Sequence, residues 1–181
     1  MKEVVLKLAR AAIGESLGLQ QNLSLDTILK ENPWLEEDGA VFVTLSINGN
    51  LRGCIGSLSA HRKLYEDIIY NARSAAFNDP RFNSLSKEEF EYIRIEVSIL
   101  SKTKQLTYGS IEDLKSKIKI GIDGVVLQAS GRQATFLPQV WDQLPTFELF
   151  FSNLCQKAGL VGNCLDMHPE ISIYQVAKYE E

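Results

Sequence analysis

Residues 41–58 read V-F-V-T-L-S-I-N-G-N-L-R-G-C-I-G-S-L, and this stretch decides the fold class. Val41, Val43, Leu45 and Ile47 alternate with Phe42, Thr44 and Ser46, the period of a strand with one buried face. Asn48-Gly49 then supplies two residues that tolerate positive φ, as a two-residue hairpin turn requires. A second strand over 51–58 pairs back on the first. Downstream the period changes to that of a helix: Leu64, Ile68, Ala72, Ala75 and Ala76 form an apolar stripe within 62–77, which Asn78-Asp79-Pro80 stops. Ser86 and Glu89 make a capping box for a short helix, and 92–100 returns to strict alternation. Upstream, Val5, Leu8, Ala12 and Ile13 share one face of an amphipathic helix.

The second half runs in the same order. Asp123-Gly124-Val125-Val126 matches Asp38-Gly39-Ala40-Val41, and Ser130-Gly131 turns between apolar runs 125–129 and 134–137. Helical stretches follow from Val140 and over 146–158, with Gly159 as a C-terminal cap, and 171–179 forms a closing strand. The expected organisation is a single α+β domain of two lobes over 1–181, with an N-terminal helix in 1–20 and repeats over 38–101 and 123–179.

The 181 residues are 45% hydrophobic and 23% charged, the composition of a globular chain and not of a disordered or coiled-coil one. A chain of this size buries roughly 70% of its unfolded surface, enough for a core without a structural metal. The net charge of −4 gives no general attraction to phosphate backbones or anionic membranes. Lys102, Lys104, Lys115, Lys117 and Lys119 have only Tyr108 as a stacking platform and read as solvated surface, so nucleic acid is disfavoured as a partner. Lys2, Glu3, Lys7 and Arg10 break up the apolar N-terminus, unlike a signal peptide, and no run of about 18 apolar residues is present. Three cysteines, without a C-x-x-C pair, fit a reducing compartment. The expectation is a cytoplasmic protein with free thiols, Cys155 being core and Cys164 incidental.

Candidate chemistry centres on residues 51–58. Gly53 and Gly56 leave a strand open to close approach. By alternation Leu51 and Ile55 point one way, Arg52 and Cys54 the other. A guanidinium beside Cys54 favours thiolate, whereas the bland alternative is a small buried cysteine. If 92–100 lies beside 51–58, Glu96 and Ser98 share that face, and Glu96 pairs with Arg52 or moves protons. Asn71 falls on the apolar stripe of its helix, so its amide either ties down the hairpin or meets a ligand. Asp79 and Arg81 flank Pro80 in a rigid turn whose commoner use is to staple a loop. Cys164 and His168 have metal-ligand spacing, but the following proline and the lack of further ligands argue against a metal site. No phosphate-binding or dinucleotide motif is present, and no cofactor is expected.

The blocks N-G-N-L-R-G-C-I-G-S-L, N-A-R-S-A-A-F-N-D-P-R-F, I-E-V-S-I-L-S and A-T-F-L-P-Q-V-W, in this order from Gly39 to Leu160, are similar to those of the AMMECR-type domain family. The resemblance implies an α+β fold in which two tandem hairpin-helix-helix-strand repeats surround one barrel-like, mostly antiparallel sheet. It implies a site region at Arg52, Gly53, Cys54, Ile55 and Gly56, with Asn71, Asp79, Pro80, Arg81 and Glu96 in neighbouring blocks, and it implies association with Memo-type and radical-SAM proteins. Two functions stay open. One is an enzyme or enzyme partner acting on a small molecule or modified nucleotide or peptide, with Cys54 as nucleophile, Arg52 as anion anchor and Glu96 as acid or base. The other is a non-catalytic binding or adaptor module.

Overall fold

A computed structural model describes residues 1–181. The chain forms two compact units, one of Met1–Leu100 with Ala177–Glu181, the other of Ser101–Val176.

In the first unit, α1 (Lys2–Ser16) and α2 (Leu25–Glu31) lead through a 3₁₀ turn at Pro33–Glu36 into β1 (Asp38–Ile47) and β2 (Asn50–Gly56). Asn48 and Gly49 turn the hairpin with φ of 52° and 78°, the positive values their side chains allow. A two-residue β3 (Arg62–Lys63), α3 (Leu64–Phe77), α4 (Lys87–Phe90) and β4 (Ile93–Leu100) follow. The sheet order is β2-β1-β4-β9, where β9 (Val176–Glu180) is the last strand of the chain, and β3 adds to the start of β1. Strand β4 pairs with β1 and not with β2, so the hairpin's first strand is central. Period 2 then sorts the residues: Val41, Val43, Leu45, Ile93, Ile95 and Val97 are buried beneath α3 and α1. At about 1.5–3 kcal/mol per fully buried aliphatic side chain, this face carries the unit's apolar stabilisation.

In the second unit, β5 (Lys104–Leu106), α5 (Ile111–Lys117), β6 (Gly124–Ala129), β7 (Arg132–Phe136), α6 (Phe147–Lys157) and β8 (Glu170–Tyr174) form a sheet of order β5-β8-β6-β7. Its hairpin β6–β7 likewise has the later strand beside its first member. Trp141 stacks on Phe150 and donates its indole N–H to the Asp123 carbonyl at 2.8 Å.

The α+β class and antiparallel pairing agree with the sequence. The barrel does not: the strands make two open sheets, because the expected closing strand 171–179 breaks at Gln175 and gives β8 to one sheet and β9 to the other. No helix is long and apolar enough to cross a membrane.

A second correction concerns the thiols. Cys155 and Cys164 form a disulfide with Cα atoms 5.7 Å apart, leaving Cys54 as the one free cysteine. Gly159, at φ 70°, reverses the chain after α6 and so returns Cys164 to the helix it left. Peptide mapping of unreduced, denatured protein is expected to find Cys155 and Cys164 linked and Cys54 alone alkylated. Replacing both bridged cysteines by alanine is expected to lower unfolding stability by about 2–3 kcal/mol, the loop-closure value for a bridge this short. Alkylation of all three residues would contradict the assignment.

Candidate functional site

The geometry of β2 departs from simple alternation at one point. Cys54 faces Thr44 and Gly53 faces Leu45, but Ser46 faces Leu51, so Arg52 is the extra residue of a β-bulge. Leu51 therefore joins the Thr44 and Ser46 face, contrary to the expected pairing of Leu51 with Ile55. Arg52 reaches α4 instead, where Nε and Nη2 donate to the two carboxylate oxygens of Glu89 at 2.8 and 2.9 Å. The same Glu89 accepts the Ser86 N–H in the capping box. Arg52 and the Ser86 amide hold the Glu89 carboxyl below the usual range. The guanidinium lies against the Phe82 ring, and its Nη1 is buried without a hydrogen-bond partner. Its bidentate fork is thus occupied by Glu89, not by Glu96 or a free anion position.

The close approach that the two glycines permit is made by the protein itself. A Cβ on Gly53 would lie 2.1 Å from the Ala75 carbonyl oxygen, and one on Gly56 would lie 2.3 Å from the Phe42 ring. Gly53 lets the backbone of α3 approach β2, and Gly56 seats an aromatic side chain.

The turn after α3 closes the edge of this strand. The Cys54 N–H donates to Asp79 Oδ2 at 2.9 Å, and Arg81 Nη2 donates to the Cys54 carbonyl at 3.3 Å. Arg81 also bonds Asp79 through Nε at 3.0 Å and Nη2 at 2.7 Å. Asp79 is buried. The Arg81 guanidinium, helped by the Cys54 and Arg81 backbone N–H groups, holds its carboxyl far below the ordinary carboxylate range. Asp79 and Arg81 stand where a neighbouring strand would otherwise bond.

Asn71 lies in the interior, 1% exposed, and donates to the Val41 carbonyl at 3.3 Å and to Ser57 Oγ at 3.1 Å. Asp67, one turn earlier on α3 and fully buried, accepts from the Val41 N–H at 2.9 Å and from Ser57 Oγ at 2.7 Å. These two side chains fasten the hairpin to the helix beneath it.

Cys54 and Glu96 do share the opposite face. Both are in register with Thr44, one on each side of β1, which places them two strand spacings apart, roughly 10 Å. The Cys54 thiol accepts a hydrogen bond from Thr44 Oγ1 at 3.3 Å. Glu96 accepts from Ser98 Oγ and from Lys178 Nζ, each at 3.2 Å. At that separation Glu96 does not take a proton from the thiol directly. A cavity of about 390 Å³ opens on this face, lined by Thr44, Ser46, Leu51, Arg94, Glu96 and Glu180 among others. Four of these, Thr44, Ser46, Arg94 and Glu180, escape a search for motifs. Their signal is the alternation of β1 and β4, which sets Thr44 with Ser46 and Arg94 with Glu96. The cavity offers hydroxyl, guanidinium and carboxylate groups to a polar occupant. No three His, Cys, Asp or Glu side chains converge as a metal site; His61 bonds Ser59 and Arg62, and His168 stacks on Tyr108.

The AMMECR1 family model matches residues 6–179. A protein of Methanothermobacter thermautotrophicus is 38% identical over 176 residues, 94% of this chain and 88% of its own length. One from Saccharolobus islandicus is 36% identical over 170 residues, covering 88% of this chain and 72% of itself. The crystal structure of an uncharacterized protein from Pyrococcus horikoshii superposes with a TM-score of 0.81 at 34% identity, over 99% of this chain and 91% of that one.

Because folding depresses the Asp79 pKa, its contribution to stability is present above the unfolded value of about 3.9 and fades as pH falls toward the lower folded value. Asp79→Asn is expected to cost on the order of 2–3 kcal/mol at neutral pH, the worth of hydrogen bonds to a charged group. The gap from wild type should narrow below about pH 4. Urea unfolding at a series of pH values checks this, and a gap independent of pH would contradict it.

Proposed function

The chain belongs to the AMMECR1 family, and on that footing we propose that it binds a small polar molecule, or the polar end of a larger one, on the open face of its first sheet. The observation that supports this reading most is the division between the two faces. One is sealed by α1 and α3, whereas the other presents Thr44, Ser46, Arg94 and Glu96 around a cavity of about 390 Å³, within the range of small-molecule sites.

Binding is the primary activity in this reading, and chemistry at Cys54 is secondary to it. The thiol faces the same side as the cavity, but its hydrogen-bond partner there is the Thr44 hydroxyl, which is no general base near neutral pH. Arg52, committed to Glu89, positions the strand. The proposed partners are Memo-type and radical-SAM proteins that supply or consume the bound molecule. A modified nucleotide or peptide is the wider alternative for the same face.

Titration of ¹⁵N-labelled protein with a panel of amino acids, adenosine, glycerol and a single-stranded RNA tests the site. The amides of Thr44, Ser46, Arg94 and Glu96 are expected to shift together for at least one small molecule. Thr44→Val with Glu96→Gln should weaken that binding about tenfold, the loss of one or two good hydrogen bonds. Shifts confined to other surfaces would overturn the proposal, and RNA binding that falls steeply with salt would favour the nucleic-acid alternative.

A further inference from the structure

The charges around this cavity narrow the chemistry of its occupant, an inference that rests on the binding reading above. Four charged side chains line it: Arg94, Glu96, Glu180 and Glu181. Two of them are neutralised within the protein. Lys178 pairs with Glu96 at 3.2 Å. Arg10 pairs with Glu181, which also accepts the Ile95 N–H at 3.1 Å. Arg94 and Glu180 stand apart from every ion pair of the unit, although they sit on the neighbouring strands β4 and β9. Arg94 and Glu180, both exposed on neighbouring strands, thus place at the cavity one guanidinium and one carboxylate that no ion pair within the protein engages.

We propose that the occupant is a small zwitterion, a molecule with a carboxylate and an ammonium group a few bonds apart, of the α-amino acid class. Its carboxylate meets the Arg94 guanidinium, whose planar fork matches that shape with two parallel N–H donors. Its ammonium group meets Glu180. Ser46, in register with Arg94 across β1 and β4, and Thr44 add hydroxyls, and Leu51, half exposed at the cavity wall, offers apolar contact to a side chain. A simple anion would leave the Glu180 carboxylate unmatched beside it. A simple cation would leave Arg94 unused.

Calorimetry and amide shifts with L-leucine, leucinamide and 4-methylpentanoate separate the contributions, because the second and third probes keep the side chain and lose one charge each. Glycine and L-glutamine, with their amide and deaminated counterparts, extend the series to other side chains. In each set the amino acid is expected to bind at least tenfold more tightly than either single-charge analogue. Arg94→Gln should reduce the amino acid to the affinity of its amide and leave the amide unaffected. Glu180→Gln should reduce it to the affinity of the acid. Equal binding of an amino acid and one analogue would overturn the zwitterion assignment. So would shifts of the Thr44 and Glu96 amides with adenosine or glycerol and none with any amino acid, although the binding site itself would stand. Silence of those amides toward every probe would overturn both.

Discussion

The backbone of Cys54 is where the architecture of the first unit is decided. It lies on the outer strand of the sheet, and its N–H and C=O face away from the hairpin partner. Left open, such an edge is a template for pairing with another chain. Asp79 and Arg81 close it by accepting the one and donating to the other. The guanidinium and carboxylate are bonded to each other as well. Because these residues follow α3 directly, the same interaction fixes the C-terminal end of the helix over β2. That in turn requires Gly53, since any side chain there would collide with the Ala75 carbonyl. At the other end of the helix, Asp67 and Asn71 hold Val41 and Ser57. The hairpin is thus tied at both ends by polar groups and packed between them by apolar ones, which leaves its opposite face free to present Thr44, Ser46 and Cys54.

This arrangement assigns most of the L-R-G-C-I-G segment to architecture. Arg52 secures α4, Gly53 admits α3, and Gly56 lies under Phe42. Only the Cys54 and Leu51 side chains are directed to the polar face, and the groups best placed to hold a ligand come from β1, β4 and β9. The polar side chains left unengaged by the fold lie on the sheet face, not along the motif itself.

Much of the fold was legible in the sequence because it depends on short-range rules. The alternation of 41–47 and 93–100, the Asn48-Gly49 and Ser130-Gly131 turns, the Ser86–Glu89 capping box and the Gly159 stop all appear where their local chemistry places them. What escaped depends on contacts distant in the chain or on a single irregularity. The bulge at Arg52 shifts the strand by one residue and moves Leu51 to the other face, a change that no period-2 reading contains. The Cys155–Cys164 bridge needs the reversal at Gly159, which brings together residues that look unrelated in a linear reading. Asp67 carries no local signal of burial, and it is buried because Val41 and Ser57 supply its hydrogen bonds and Arg62 its counter-charge. The candidate site was half legible: Cys54 and Glu96 do share a face, but with β1 between them, so the row Cys54–Thr44–Glu96 replaces the expected direct neighbours. Arg94 and Glu180 carry no motif and become conspicuous only through the ion pairs they do not make.

Amide hydrogen exchange at Cys54 reports on the tie to the turn after α3, since its N–H has no strand partner and depends on Asp79 alone. Its protection should be comparable with that of Val43 in the central strand, because opening then requires the unit to unfold. Exchange at the rate of an open edge amide would mean that the turn after α3 does not set the strand and the face it displays.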